Sequence, residues 1–303
     1  MKFKYTKSSK ERLDKFLNDK LPDTSRSQIK KLILRGQISV NNAKSSVHHW
    51  LKNGDIIIYD QKQIVHDNGF DFKLEPQIIE QTNDYLVIVK PSGLLVHPTE
   101  KAETDTLADW LKLKIPQIIK IGDDPLRPGI VHRLDKEVSG LMVIALTQEC
   151  FDLLKKQFQK RKVSKEYIGL VHGQVLNNKG EINTPLERDK KTGLMKAQTT
   201  RDSGQIAQTT YEVLKKFINY TLLKIKIKTG RTHQIRAHLY SIGHSIVGDQ
   251  LYQTKDLRKK KKVLNQRIFL HACYLKFKDM NGLWHKYKSP LPPDLAEFLN
   301  TIK

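Results

Sequence analysis

Cysteine is nearly missing from this chain. Cys150 and Cys273 are the two copies in 303 residues, too few for a disulfide framework or an all-cysteine zinc site. A reducing, cytoplasmic compartment is the expected location. Long apolar runs are missing too. Ile56 to Tyr59 and Leu141 to Leu146 are typical stretches, far short of the ~18 residues a membrane-spanning helix needs, so no membrane partner is expected. No apolar segment follows Met1-Lys2-Phe3-Lys4, so no secretory leader is expected. There is no Gly-x-x-x-x-Gly-Lys-Ser/Thr loop, no His-Glu-x-x-His helix and no Gly-x-Ser-x-Gly elbow. The 11 histidines are scattered, and His233 and His238 are too far apart to share a helix face as metal ligands. The chemistry is expected to need no metal and no cofactor.

Acidic residues are scarce. Asp and Glu number 32 against 54 Lys and Arg, a net charge of +22. The excess is clustered. Residues 155–165 hold Lys155, Lys156, Lys160, Arg161, Lys162 and Lys165 with no acid, and residues 255–262 hold six cations against Asp256. Clustered positive charge favours a polyanionic partner. A membrane surface would call for a basic amphipathic helix with an exposed apolar face, and none is evident. A composition of 38% hydrophobic and 28% charged residues fits a globular chain of about two domains.

What is present divides at a polar stretch. Residues 1–62 read as a small α+β module. Leu13, Phe16, Leu17 and Leu21 recur at helical spacing, and Pro22 ends that helix. Thr24 or Ser25 can cap a second helix with Ile29, Leu32 and Ile33 inward. Its polar face carries Arg26, Lys30, Lys31 and Arg35. Strands at Ile38 to Val40 and Ile56 to Ile58 follow. Residues 63–75 read as a linker and residues 76–303 as a second domain. There, Tyr85 to Lys90 is a strand closed by Pro91-Ser92-Gly93, Thr106 caps a helix, Leu141 to Leu146 is a buried strand, and Thr147 caps another helix. Leu223, Ile225 and Ile227 alternate with Lys224, Lys226 and Lys228, the mark of a half-buried strand. A helix is expected over Thr232 to Leu239. Strands and helices mix without strict alternation, which predicts an α+β class with a mixed, largely antiparallel sheet.

Four segments carry candidate chemistry. His132-Arg133-Leu134-Asp135 lies between apolar strand ends, where loops hold side chains rigidly. A buried carboxylate needs a partner, and arginine supplies a permanently charged, two-point one. Gly230-Arg231-Thr232-His233-Gln234-Ile235-Arg236 packs two arginines, a histidine and an amide behind a strand. Tyr167 opens an apolar strand after Lys165-Glu166. Lys90-Pro91 to His97-Pro98 is a rigid turn. Taken singly, each has a plain structural reading: an ion pair, a helix start, a core aromatic, a turn.

Together they are recognisable. The run Gly129-Ile130-Val131-His132-Arg133-Leu134-Asp135-Lys136, with Ser139-Gly140-Leu141, resembles the active-site motif of the RluA/RluD-type pseudouridine synthases. The other three segments resemble the same family in the same order, with Gly248-Asp249 behind the last. The N-terminal module resembles the small alpha-L RNA-binding domain that often precedes this catalytic domain. Val138 stands where the family more often has Thr.

The resemblance implies the pseudouridine synthase fold and isomerisation of uridine to pseudouridine in RNA, without a cofactor. Large-subunit ribosomal RNA is the first substrate expected, from the Pro22 to Ser27 stretch, and tRNA the second. Asp135 matches the essential aspartate, which either attacks the anomeric carbon or removes the ribose 2′ proton. Arg236 matches its arginine partner, and Tyr167 the tyrosine that stacks on the target base. Arg133 matches the arginine that enters the RNA helix where the uridine leaves. His132, Arg231, Arg26, Lys30, Lys31 and Arg35 are the further expected RNA contacts. Two rivals remain at this level: a non-catalytic RNA binder on the same fold, and an RNA hydrolase in which Asp249 or Asp189 pairs with Asp135.

Overall fold

The computed structural model describes residues 1–22, 24, 26–34, 36–59, 72, 74–99, 104–189, 191–198, 204–254, 256–257 and 267–303. Arg35, Ser25, most of the expected linker and most of the basic run 255–262 lie outside the described residues, as does the side chain of Lys31. The described residues gather into two compact units, one drawn from 1–71 and 98–105, the other from 72–97 and 106–303. Of the expected linker, Phe72 is buried in the core of the second unit.

The first unit contains β1 (Lys2–Lys4), β2 (Glu11–Arg12), α1 (Leu13–Lys20), α2 (Arg26–Leu34), β3 (Ile38–Val40), β4 (Ala43–Lys44), β5 (Trp50–Leu51) and β6 (Ile56–Tyr59). Leu13, Phe16 and Leu17 of α1 and Ile29 and Ile33 of α2 meet Ile38 and Ile57 in one core. Each such buried side chain stabilises by about 1.5–3 kcal/mol, which lets so small a module hold two short helices. β3 turns into β4 through Asn41 and Asn42, both left-handed at φ 53° and 63°. That is the two-residue hairpin turn Asn favours.

The second unit is built on one sheet. Its strands are β7 (Gln77–Gln81), β8 (Tyr85–Lys90), β9 (Ser139–Ala145), β10 (Ser164–His172), β11 (Lys179–Ile182), β14 (Thr209–Lys216), β15 (Tyr220–Ile227), β16 (Leu270–Lys278) and β17 (Trp284–Lys288). β12 (Leu186–Arg188) and β13 (Met195–Ala197) form a separate ribbon. The sheet order is β11-β14-β15-β10-β16-β9-β8-β7, with β17 on β16. Every pairing in it is antiparallel except β16 with β9. The expected α+β class with a mixed, largely antiparallel sheet is what the chain forms.

Gly140 shows why the parallel junction needs glycine. Its φ is +132°, and a Cβ there would lie 2.4 Å from the carbonyl oxygen of Ala272. β9 is buried along its whole length, as a strand covered on both faces should be. Thr106 caps α3 (Leu107–Lys114) in a capping box with Asp109, and Thr147 caps α4 (Gln148–Gln159). α5 (Gln234–Ser241) begins two residues later than the pattern suggests. His233 is left-handed at φ 52°. The Gln234 amide oxygen accepts from the Thr229 hydroxyl and the Arg231 N–H, holding the chain in a tight turn before the helix starts. α6 (Pro293–Thr301) closes the unit.

Candidate active site

Asp135 sits on a turn gripped from two sides. On one side, β9 begins at Ser139. On the other, the 90–94 turn clasps the backbone: Lys90 Nζ donates to the carbonyls of Pro91, Leu94 and Lys136 at 2.8, 2.7 and 3.1 Å. The Gly93 N–H also donates to Lys136 O, and Ser92 Oγ donates to Glu137 O. Lys90 is fully buried. Desolvation lowers its pKa to about 7, against the opposing pull of Asp135 and Glu137. The sequence marks the turn but not this role. The available signal was a lysine closing an apolar strand directly before Pro-Ser-Gly. Lys90→Met is expected to loosen the Asp135 turn, costing about 1–3 kcal/mol for each carbonyl left without a donor. Urea melts and single-turnover rates check this; an unchanged melt and rate would remove Lys90 from the account.

The residues around Asp135 diverge. Leu134 and Val138 point into the core, so the Val found in place of the family's Thr packs as an apolar side chain. Arg133 is exposed, with Nη1 3.3 Å from His97 Nε2. His132 has a different setting from Arg133. Its Nε2 accepts the Val143 N–H at 3.0 Å, and its ring stacks on Phe158 with centroids 4.6 Å apart. Burial holds its pKa well below the usual value. His132 is therefore neutral, and it presents no cation to a phosphate.

Arg236 is almost wholly buried on α5. Its Nη1 lies 3.4 Å from Asp135 Oδ2, the pairing the family resemblance implied. Its two-point contact goes elsewhere. Nε and Nη2 donate to the two carboxylate oxygens of Asp249 at 2.7 and 2.9 Å. Asp249 also accepts from the N–H groups of Leu251 and Tyr252. The Tyr252 ring lies 5.2 Å from the guanidinium carbon, and its hydroxyl is held by the Met195 N–H and by His233 Nδ1. Asp249 raises the Arg236 pKa, and Arg236 holds the Asp249 carboxyl below its ordinary range. The fork is thus locked before it meets Asp135, and it extends one remaining N–H edge to that carboxylate.

This arrangement disposes of the hydrolase reading. Both oxygens of Asp249 are bonded to Arg236 or to backbone, so it offers Asp135 no second carboxylate. Asp189 closes an exposed turn with Lys191 and Thr192.

Asp135, Tyr167 and Arg236 line one cavity of about 450 Å³. Tyr167 is 4% exposed and lies opposite Ile225 and Ala272. A bulge between Glu166 and Tyr167 shifts the β10–β16 register just before it. Burial, with Asp135 close by, pushes its hydroxyl pKa well up, so the phenol stays protonated at neutral pH. Ile130, Val131 and Ile227 add apolar lining, enough to receive a flat ring. Cations gather on the same lining: Arg127, Arg133, Arg161, Lys165, Lys228 and Arg231. Arg231 is exposed, with Nε on the Ile206 carbonyl. The Lys165 ammonium lies 5.3 Å from the Phe158 ring centre, and burial lowers its pKa to about 8. His238 is a core histidine, bonded to Thr209 Oγ1 and Thr184 O.

The remaining expected contacts lie in the first unit. Lys30 is exposed. Arg26 is not free, because Asp14 takes it at 2.9 Å. Among the described residues, no three His, Cys, Asp or Glu side chains converge as a metal site, and no helix is long and apolar enough to cross a membrane.

The RNA pseudouridylate synthase family matches residues 84–241, and the S4 domain matches residues 11–57. A ribosomal large subunit pseudouridine synthase D of Blochmanniella floridana is 36% identical over 96% of this chain and 94% of its own. An uncharacterized RNA pseudouridine synthase of Aquifex aeolicus is 40% identical over 92% of this chain and 87% of its own. Among solved structures, human RNA pseudouridylate synthase domain containing 1 superposes with a TM-score of 0.60 over 76% of this chain and 89% of that one, at 24% identity, a likeness of fold.

Proposed function

The chain belongs to the RNA pseudouridylate synthase family, with an S4 domain at its N-terminal end, and we propose that it isomerises uridine to pseudouridine in large-subunit ribosomal RNA. The reading is carried by one observation: a single carboxylate, a buried tyrosine and a locked arginine meet in a cavity lined with cations. The choice of RNA is supported by the large-subunit enzymes named among the relatives.

The chemistry follows from the parts. The target uridine leaves its stack at a cost of a few kcal/mol. Arg133, planar, exposed and cationic, fills the gap it leaves and offsets part of that cost. The uracil ring enters against Tyr167 and the apolar lining. Asp135 then faces the ribose. It either bonds to C1′ as the C1′–N1 pair withdraws into the ring, or takes the 2′ proton to give a glycal; both need a charged, fixed carboxylate. The uracil turns and C5 bonds to C1′: on the first route the Asp135–C1′ ester bond breaks and its pair returns to the carboxylate, on the second C2′ takes its proton back from Asp135. The C5 proton is then lost and N1 gains one, so the product is an isomer with Asp135 regenerated. Arg236 keeps Asp135 aimed throughout. A pure RNA binder has no use for this acid, which repels phosphate.

Mapping pseudouridine in ribosomal RNA from cells with and without the protein tests the proposal. Loss of a large-subunit site on deletion is expected; loss confined to tRNA would transfer the substrate to tRNA. In the S4 domain, Lys30→Ala is expected to weaken RNA binding uniformly and to lower the salt slope by about 1. The rate at saturating RNA should not change. A salt titration that overlays the wild type would take Lys30 off the interface.

A further inference from the structure

Of the alternating Lys224, Lys226 and Lys228, only Lys228 lines the cavity described above. In the folded chain the alternation belongs to a larger pattern. Side chains alternate across a sheet, so Tyr167, Ile225 and Leu275, which are buried, leave their neighbours on the opposite face. There the register aligns lysines from three strands. Lys226 stands beside Glu166, and Glu166 beside Tyr274. Ser164 stands beside Lys276, which stands beside Lys286; Tyr274 pairs with Lys288, and Lys278 with Trp284. Lys226, Lys228, Lys278, Lys286 and Lys288 are exposed, and Lys276 is half-buried.

The acids of this face are already occupied. Glu166 pairs with Lys224 at 3.0 Å, and Glu212 with Lys179 at 3.1 Å. None of the six other lysines forms an ion pair among the described residues. Trp284 is 46% exposed, with the ammonium groups of Lys276 and Lys278 at 4.3 and 5.2 Å from its ring. Like charges held this close repel one another and favour an anion. Alternate residues on a strand lie about 6.6–6.8 Å apart, and adjacent strands about 4.8 Å. The result is an array of point charges on a strand lattice, suited to phosphates rather than to base edges.

One lysine ties this face to the cavity. Lys228, the residue after β15, also lines the cavity that holds Asp135. The lysine face is the reverse of the sheet face that carries Tyr167, and Lys228, past the strand's end, is common to it and the cavity; between the lysines of β15 and those of β16 and β17, β10 places Ser164 and Glu166.

We propose that this lysine face is a second RNA-binding surface of the catalytic domain, holding the phosphate backbone of the strand that flanks the target uridine. The inference rests on the RNA-modifying reading of the cavity. It adds a path for the RNA beyond the modified nucleotide. The contact is electrostatic and independent of sequence, so it raises affinity for long RNA without selecting the uridine.

The test compares two probes: a long transcript around the mapped uridine, and the bare stem-loop cut from it. The variant is Lys276→Gln with Lys286→Gln, which lie side by side on β16 and β17 and form no ion pair among the described residues. For the long transcript, affinity should fall roughly 10-fold or more at low salt, and the salt slope should drop by about 1.5, the share of two phosphate contacts. For the stem-loop, affinity and single-turnover rate should match the wild type, which also shows that the variant is folded. Unchanged affinity and slope on the long transcript would overturn the proposal and leave the face to an acidic protein. Equal losses on both probes would overturn it too, because the effect would then not belong to flanking RNA. If the wild-type chain isomerises neither probe, the catalytic reading fails by itself, and the binding comparison still decides the surface.

Discussion

Asp135→Asn is expected to leave the protein folded and bound to RNA while lowering pseudouridine formation at least ~10³-fold, within the range that loss of an acid–base or nucleophilic group produces. The carboxamide has nearly the carboxylate's shape. Arg236 does not depend on Asp135 for its place, since Asp249 holds it at 2.7 and 2.9 Å. The cavity should therefore keep its form when the charge goes. What would be lost is the group proposed to attack C1′ or take the 2′ proton, and an amide does neither. Phosphate contacts on the rim are untouched, so the affinity should hold or rise slightly as one negative charge leaves. Single-turnover assays with a matched binding titration decide the matter. Turnover within tenfold of the wild type would pass the chemistry to another residue.

Much of this site could be read from the chain. Thr106 and Thr147 announced their helices, because a hydroxyl before an apolar-periodic run satisfies N–H groups that the helix leaves bare. β15 announced itself by alternation, and β9 by an unbroken apolar run. Asp135 and Arg236, 101 residues apart, were brought together by family resemblance, not by spacing. What stayed hidden depends on tertiary contact. Nothing local says that Asp249 takes the two-point grip on Arg236, or that Lys90 turns its ammonium under the Asp135 loop. His132 reads as an RNA contact beside arginine, but the fold turns its half-buried ring onto Phe158 and the Val143 N–H, and desolvation lowers its pKa. The β16–β9 parallel pairing spans over a hundred residues and rests on Gly140 tolerating the close approach of Ala272.

Arg236→Ala is expected to be the more damaging change, because it removes more than the partner of Asp135. The Asp249 side chain is fully buried. Without the guanidinium it keeps only backbone N–H donors and becomes an uncompensated charge in the core. Breaking such a pair from one side costs about 3–5 kcal/mol, so the variant should melt well below the wild type as well as lose activity. Arg236→Lys should recover part of the stability and little of the rate, since an ammonium cannot reach both Asp249 oxygens and Asp135 together. The pH dependence has a definite sign. The Asp249 carboxyl is held below its usual pKa in the fold, so its contribution is present above the ordinary carboxylate range and fades as the pH falls through the lowered value. Wild-type stability should therefore drop more steeply in acid than that of Arg236→Ala with Asp249→Asn, in which neither charge remains. That double variant should also be less destabilised than the two single changes added together, because each single change strands a partner that the pair removes. Additive losses in a double-mutant cycle followed by thermal melts would mean that Arg236 and Asp249 do not act as one unit, and that Asp135 is held in place by something else.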